Sequence, residues 1–188
     1  RLQRSLRAEM PGKGGGELVT AARRLVDDLR EHCALEVFLC QGGLLGAVRD
    51  GQPLGRDIDL AFFSAYRHPF DVIRETRAAE RTITALGWQV VRTSAASFKV
   101  WIELPDGTHG SVDVLAGFHV GEVFHLAGSL SGVLDRRHLV PVSEIELAGV
   151  CFPAPASPAK VLQFTYGPDW SVPDPAFRFE HPPENVRR

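Results

Sequence analysis

Asp57 and Asp59 stand two residues apart in Arg-Asp-Ile-Asp-Leu-Ala-Phe-Phe, a run that is otherwise mostly apolar. The run reads as a β-strand, and side chains at i and i+2 of a strand leave by the same face. Both carboxylates therefore project together, while Ile58 and Leu60 turn toward a core. Two ionised carboxylates a few ångströms apart repel, and burial makes the repulsion worse. The chain must fold so that this strand keeps one apolar face buried and one face where negative charge is compensated.

A hard divalent cation is the usual compensation, and Mg²⁺ takes oxygen ligands while keeping some of its water. Asp113 has the same character, flanked by Val112 and Val114 in Ser-Val-Asp-Val-Leu. If its strand neighbours the one bearing Asp57 and Asp59, three carboxylates converge. Such a cluster can hold one or two metal ions bridging a diphosphate or triphosphate, with the third carboxylate near an attacking hydroxyl. Taken singly these residues have bland readings too, because Asp-x-Asp pairs are common and a lone strand Asp often pairs with Arg.

Gly42 and Gly43 follow an apolar strand-like segment, Leu-Glu-Val-Phe-Leu-Cys, and precede a short helical pattern that stops near Gly51. At such a junction glycines let a phosphate approach backbone N–H groups at a helix start. The competing reading is a tight turn that needs glycine only for its backbone freedom.

The chain is long enough for one domain with a sizeable core: 188 residues, 44% of them hydrophobic. A formal net charge of −2 gives no whole-protein attraction for a nucleic-acid backbone, so no nucleic-acid partner is expected. Arg dominates the basic residues, with Lys only at positions 13, 99 and 160. Cys33, Cys40 and Cys151 have no metal-type spacing and read as free thiols of a reducing compartment. No apolar run approaches the ~18 residues of a membrane helix. The chain begins at Arg1 without a signal-like segment, which predicts a cytoplasmic location; the missing initiator Met fits trimming or excision from a longer polypeptide.

Along the chain, residues 1–16 are charged and then Gly-rich, and read as a flexible lead-in. A helix is expected from Glu17 to Cys33, and another from Pro69, after His68, to a stop at Gly87. Strands are expected in Trp-Gln-Val-Val-Arg-Thr, Ser-Phe-Lys-Val-Trp-Ile-Glu-Leu and Gly-Ser-Val-Asp-Val-Leu-Ala-Gly-Phe, the latter two joined by Pro-Asp-Gly-Thr-His-Gly. A hairpin turning near Leu147 to Gly149 follows, then a helix capped by Ser157 and opened by Pro158. The expected domain spans 17–173, with a Pro-rich tail at 174–188. This order predicts an α+β fold with a mixed central sheet flanked by helices.

An apolar strand, Gly-Gly, residues 44–56 as spacer, Asp-Ile-Asp, and a later apolar-Asp-apolar strand together resemble the signature of the nucleotidyltransferase fold. Within it, Gly-Gly-Leu-Leu-Gly-Ala-Val-Arg-Asp-Gly followed by Asp-Ile-Asp resembles the core motif of the LicD family, to which fukutin-related proteins are similar. The closing Tyr-Gly-Pro-Asp-Trp-Ser-Val-Pro, residues 166–173, resembles the family's Tyr-Gly-x-x-Trp-x-x-Pro. The likeness is carried by residues 36–63, 111–115 and 161–173.

The resemblance implies a phospho-alcohol transferase, moving phosphocholine, ribitol phosphate or a similar group from a CDP-activated donor to a glycan or polyol hydroxyl. It implies that Asp57, Asp59 and Asp113 form the catalytic site and bind Mg²⁺, or alternatively Mn²⁺, with Asp113 orienting or deprotonating the acceptor. Gly42, Gly43, Arg49, Arg56 and Lys99 would then contact the donor. For Arg49 the plain alternative is charge complementarity at a helix C-terminus. For Lys99, which alternates away from Phe98, Val100, Ile102 and Leu104, it is a solvated strand position. Tyr166 and Trp170 either wall the site or pack the tail on the core. The sequence departs from the family at Leu54-Gly55-Arg56, where further Asp is usual, and at Gly43, where Thr is usual.

Two other functions fit the same residues. One is nucleotidyl transfer to a small molecule such as an antibiotic or sugar phosphate, since the same core supports either phosphorus as electrophile. The other is a catalytically degenerate nucleotide- or carbohydrate-binding domain.

Overall fold

The structure is a computed structural model that describes residues 15–127, 130–174 and 176–178. The expected flexible lead-in lies outside the described residues except for Gly15 and Gly16, which already belong to the first helix. Most of the expected Pro-rich tail, residues 175 and 179–188, also lies outside them.

Helix α1 (Gly15–Cys33) buries Leu18, Val19, Ala22, Leu25, Val26 and Leu29, one stripe at helical spacing. It leads through β1 (Val37–Leu39) to the short α2 (Gln41–Arg49) and then β2 (Asp57–Phe63). Helix α3 (Pro69–Ala85) starts where the sequence predicts: Pro69 is its first residue, and His68 Nδ1 accepts from the Phe70 N–H at 3.2 Å. Strands β3 (Gln89–Ser94), β4 (Ser97–Glu103) and β5 (His109–Val120) follow, and the Pro-Asp-Gly-Thr-His-Gly segment closes the β4–β5 hairpin with Gly107 at φ +76°.

The central sheet runs β1-β2-β5-β4-β3. Strand β2 is antiparallel to β1 and parallel to β5, which is in turn antiparallel to β4, so the sheet is mixed and the fold is α+β as expected. Two strands that the sequence reading missed, β6 (Val123–Leu126) and β7 (Leu130–Val133), extend the sheet from the far half of β5. Ala116 marks the handover: its N–H donates to the Ala96 carbonyl just before β4, and its own carbonyl accepts from the Ala127 N–H after β6.

A separate hairpin, β8 (Ser143–Leu147) and β9 (Val150–Ala154), turns through Ala148 and Gly149, both at positive φ. It packs against β1 and α2. Helix α4 (Pro158–Tyr166) opens at Pro158, but Ser157 does not cap it. The Ser157 hydroxyl instead meets His138 Nδ1 at 3.1 Å.

One face of the sheet is the core. Ile58, Leu60, Phe98, Val100, Val112 and Val114 are each fully buried, and α1 and α3 cover that side. Residues of opposite parity on the same strands rise from the other face.

Candidate active site

Register determines which side chains meet. Asp59 pairs with Asp113 across the parallel β2–β5 ladder, and Asp113 pairs with Lys99 across β5–β4. The adjoining same-face row is Asp57, Ser111 and Trp101. Directly paired side chains on adjacent strands lie about 5 Å apart at Cβ. The three carboxylates expected from the sequence therefore converge, and Lys99 joins them.

Lys99 is held firmly. Its ammonium donates to Asp113 Oδ2 at 2.8 Å and to Ser111 Oγ at 2.9 Å, and lies 3.6 Å from Asp57 Oδ1. Ser111 Oγ donates to Asp57 Oδ1. A solvated strand lysine is thus the wrong reading, since only 14% of the Lys99 side chain is exposed. Charge compensation on this face comes first from a protein cation.

Asp59 is anchored differently. It is 8% exposed, and both its backbone and side chain hold the start of α2. Its carbonyl accepts from the Cys40 N–H at 2.9 Å, and its Oδ2 accepts from the Gly42 N–H at 3.0 Å. The Gly42 amide thus serves a carboxylate of the site itself. An anion at a helix N-terminus is the arrangement that backbone donors and the helix dipole favour.

The reason for the glycine pair also differs from both sequence readings. Both glycines lie within the first turn of α2, and it is Gln41 that has the positive φ, +42°. A Cβ on Gly43 would come within 3.0 Å of the Asp59 carbonyl oxygen and 3.1 Å of its nitrogen. On Gly42 it would come within 3.0 Å of Asp59 Oδ2. Glycine is needed because α2 lies directly on β2.

Cys40 lies buried under this junction, and burial, then the charges of Asp59 and Asp113, hold its thiol well above the usual range. Tyr166, at the end of α4, borders the same region. Burial, Asp59 and Cys40 push its phenol upward, against a smaller opposing effect of Arg49. Its ring meets that of Phe177 edge-on at 5.5 Å. Tyr166 and Trp170 both pack against the core.

Arg49 and Arg56, the two arginines expected at the donor, have protein neighbours of their own. Arg49 Nε bonds Asp50 Oδ2 at 2.9 Å at the far end of α2. Arg56 is exposed just before β2, and its charge helps lower the pKa of Asp106 in the β4–β5 turn, after the larger effect of Thr108. Its carbonyl accepts from the Ser111 N–H at 2.9 Å.

The sequence reading missed Ser111 and Trp101. The signal was present, because Ser111 is two residues before Asp113 and Trp101 two after Lys99, so strand alternation puts each on the open face. Among the described residues no group of three or more His, Cys, Asp or Glu side chains has the geometry of an assembled metal cage. The donor set is nonetheless all carboxylate oxygen, the type that hard divalent cations take.

No helix among the described residues is long and apolar enough to cross a membrane. A family model described as LicD/FKTN/FKRP, nucleotidyltransferase domain, matches residues 34–157. That stretch runs from before β1 to Ser157 and so includes every carboxylate of the site. No curated protein matches the chain.

Proposed function

The chain belongs to the LicD/FKTN/FKRP nucleotidyltransferase-domain family, and on that premise we propose that it transfers a phospho-alcohol group from a CDP-activated donor to a glycan or polyol hydroxyl. Membership implies phosphosugar- or phosphocholine-transferase-like activity and a nucleotide-activated donor. The observation that carries the finer reading is the Asp59–Asp113–Lys99 row, with Asp57 beside it and the start of α2 bonded to Asp59.

The residues fit a divalent cation, Mg²⁺ or Mn²⁺. Asp57 and Asp59 would hold it, since they project together from β2 and their oxygens suit a hard ion. When bound, it would neutralise the donor diphosphate and stabilise charge on the leaving CMP. Asp113 has a different task. Lys99 keeps its carboxylate oriented, so that it accepts a hydrogen bond, and then the proton, from the attacking hydroxyl. Ser111 ties Asp57 to the same network and keeps the two rows in register. The Gly42 amide and the α2 dipole fix Asp59, so that little reorganisation is needed when the donor arrives.

Incubation with a CDP-linked alcohol, a divalent cation and a glycan acceptor should release CMP and lengthen the acceptor by the phospho-alcohol. Release of pyrophosphate from CTP or ATP, with no CMP from CDP-linked donors, would contradict this reading and identify a nucleotidyl transfer instead.

A further inference from the structure

Lys99 brings a fixed positive charge into the gap between carboxylates on two different strands. Its ammonium is 2.8 Å from Asp113 Oδ2 on β5 and 3.6 Å from Asp57 Oδ1 on β2, and it donates to Ser111 Oγ at 2.9 Å. Resting on the divalent-ion reading above, we propose that this ammonium takes the place of a second metal ion. The site then holds a single divalent cation, and Lys99 supplies the positive charge on the Asp113 side.

A two-ion phosphoryl site clamps the attacking and the leaving oxygen between ions about 3.5–4 Å apart. With one ion on Asp57 and Asp59, a second would draw on Asp113 and share Asp57. Asp113 Oδ2 and Asp57 Oδ1 are the oxygens that Lys99 faces. An ion bridging them would have to share the space of the ammonium, and like charges so close repel strongly in a mostly buried site.

Lys99 cannot readily step aside. It lies on β4 between two partners, paired with Val91 of β3 and with Asp113 of β5. Its side chain and that of Asp113 are each 14% exposed, so swinging out would strip a mostly buried carboxylate of its counter-ion. The Trp101 ring backs the ammonium, with its centroid 5.6 Å from Nζ. Ser111 carries the placement on to β2, because its hydroxyl accepts from Lys99 and donates to Asp57.

An ion on the β2 pair is compatible with this lysine. Asp59 is two strands away from Lys99 in the row Asp59–Asp113–Lys99, about 10 Å along the sheet, and its Oδ2 accepts from the Gly42 amide on the α2 side. The two positive charges then sit on opposite sides of Asp113. An ammonium attracts a partly negative oxygen but is a weaker acidifier of a hydroxyl than a metal ion, so removal of the acceptor proton rests with Asp113.

The test counts ions on the intact chain with neither donor nor acceptor present. Mn²⁺ is titrated into wild type and variants, with uptake read from the electron paramagnetic resonance signal of the free ion and circular dichroism as the check on folding. Wild type and Lys99→Arg should each bind one Mn²⁺. Lys99→Met should bind two, and so should Lys99→Gln, which keeps a hydrogen-bond donor without the charge. Lys99→Met combined with Asp113→Asn should return to one. Two ions in wild type would overturn the proposal, as would a single ion in the folded Lys99→Met or Lys99→Gln chain. Absence of any uptake by wild type would remove the divalent-ion reading along with it. A count that rises from one to two in a chain that releases no CMP would support the role of Lys99 and remove only the transferase reading.

Discussion

Lys99 Nζ donates to Asp113 Oδ2 at 2.8 Å across the β4–β5 ladder, so the central carboxylate of the sheet's open face carries its own counter-ion. This pairing divides the three carboxylates. Lys99 approaches Asp113 most closely and lies farther from Asp57, while Asp57 and Asp59, projecting together from β2, are the pair proposed to hold a divalent ion. Lys99→Met should therefore cost about 2–3 kcal/mol without divalent ions, because a mostly buried carboxylate loses its partner. Differential scanning calorimetry should show Tm falling by about 5–10 °C. Added Mn²⁺ should recover much of that loss, and Mn²⁺ should bind the variant about tenfold more tightly than wild type. An unchanged Mn²⁺ affinity would show that Lys99 and the ion do not compete.

Gly43→Ala should separate α2 from β2. The added methyl meets Asp59 backbone atoms rather than a yielding side chain, so the helix itself must shift. Such overpacking costs about 1–3 kcal/mol. The shift lengthens the Gly42 N–H to Asp59 bond, so divalent-ion affinity should fall together with Tm. Wild-type values of both would mean that α2 can move without disturbing Asp59.

Glu75 offers a pH test away from the site. Burial, only partly offset by a 2.6 Å hydrogen bond from Ser64, raises its pKa above the usual carboxylate value. The folded chain therefore holds this proton more tightly than the unfolded chain. Stability from this group is fully present below the unfolded pKa and is lost as pH rises through the folded pKa. Glu75→Gln keeps an acceptor for Ser64 but removes the titration. Its Tm should match wild type near pH 4 and exceed it by about 1–3 °C at pH 7, with a flatter pH profile between.

Much of the site could be read from the sequence because strand alternation is local. Asp57 and Asp59 opposite Ile58 and Leu60, and Lys99 opposite Phe98 and Val100, follow from a period of two. What could not be read is pairing between distant segments. Nothing local states that residue 59 faces residue 113, and only that register turns scattered acids into a row. The role of Gly43 was hidden for the same reason, since it depends on how closely α2 approaches β2. Strands β6 and β7 are short, and their main cue is tertiary: a free half of β5 that needs backbone partners. Arg56, conspicuous beside Asp57 in sequence, precedes the strand on the opposite parity, and its charge reaches Asp106 instead.

The most direct measurement is CMP release from a CDP-linked alcohol, with a glycan acceptor and Mg²⁺, by wild type and by Asp57→Asn, Asp59→Asn and Asp113→Asn. Circular dichroism should confirm that each variant is folded. The account predicts at least a 10²-fold loss in all three. It further predicts that Mn²⁺ affinity falls sharply for Asp57→Asn and Asp59→Asn but much less for Asp113→Asn. Wild-type turnover in any one of the three would contradict the proposed site.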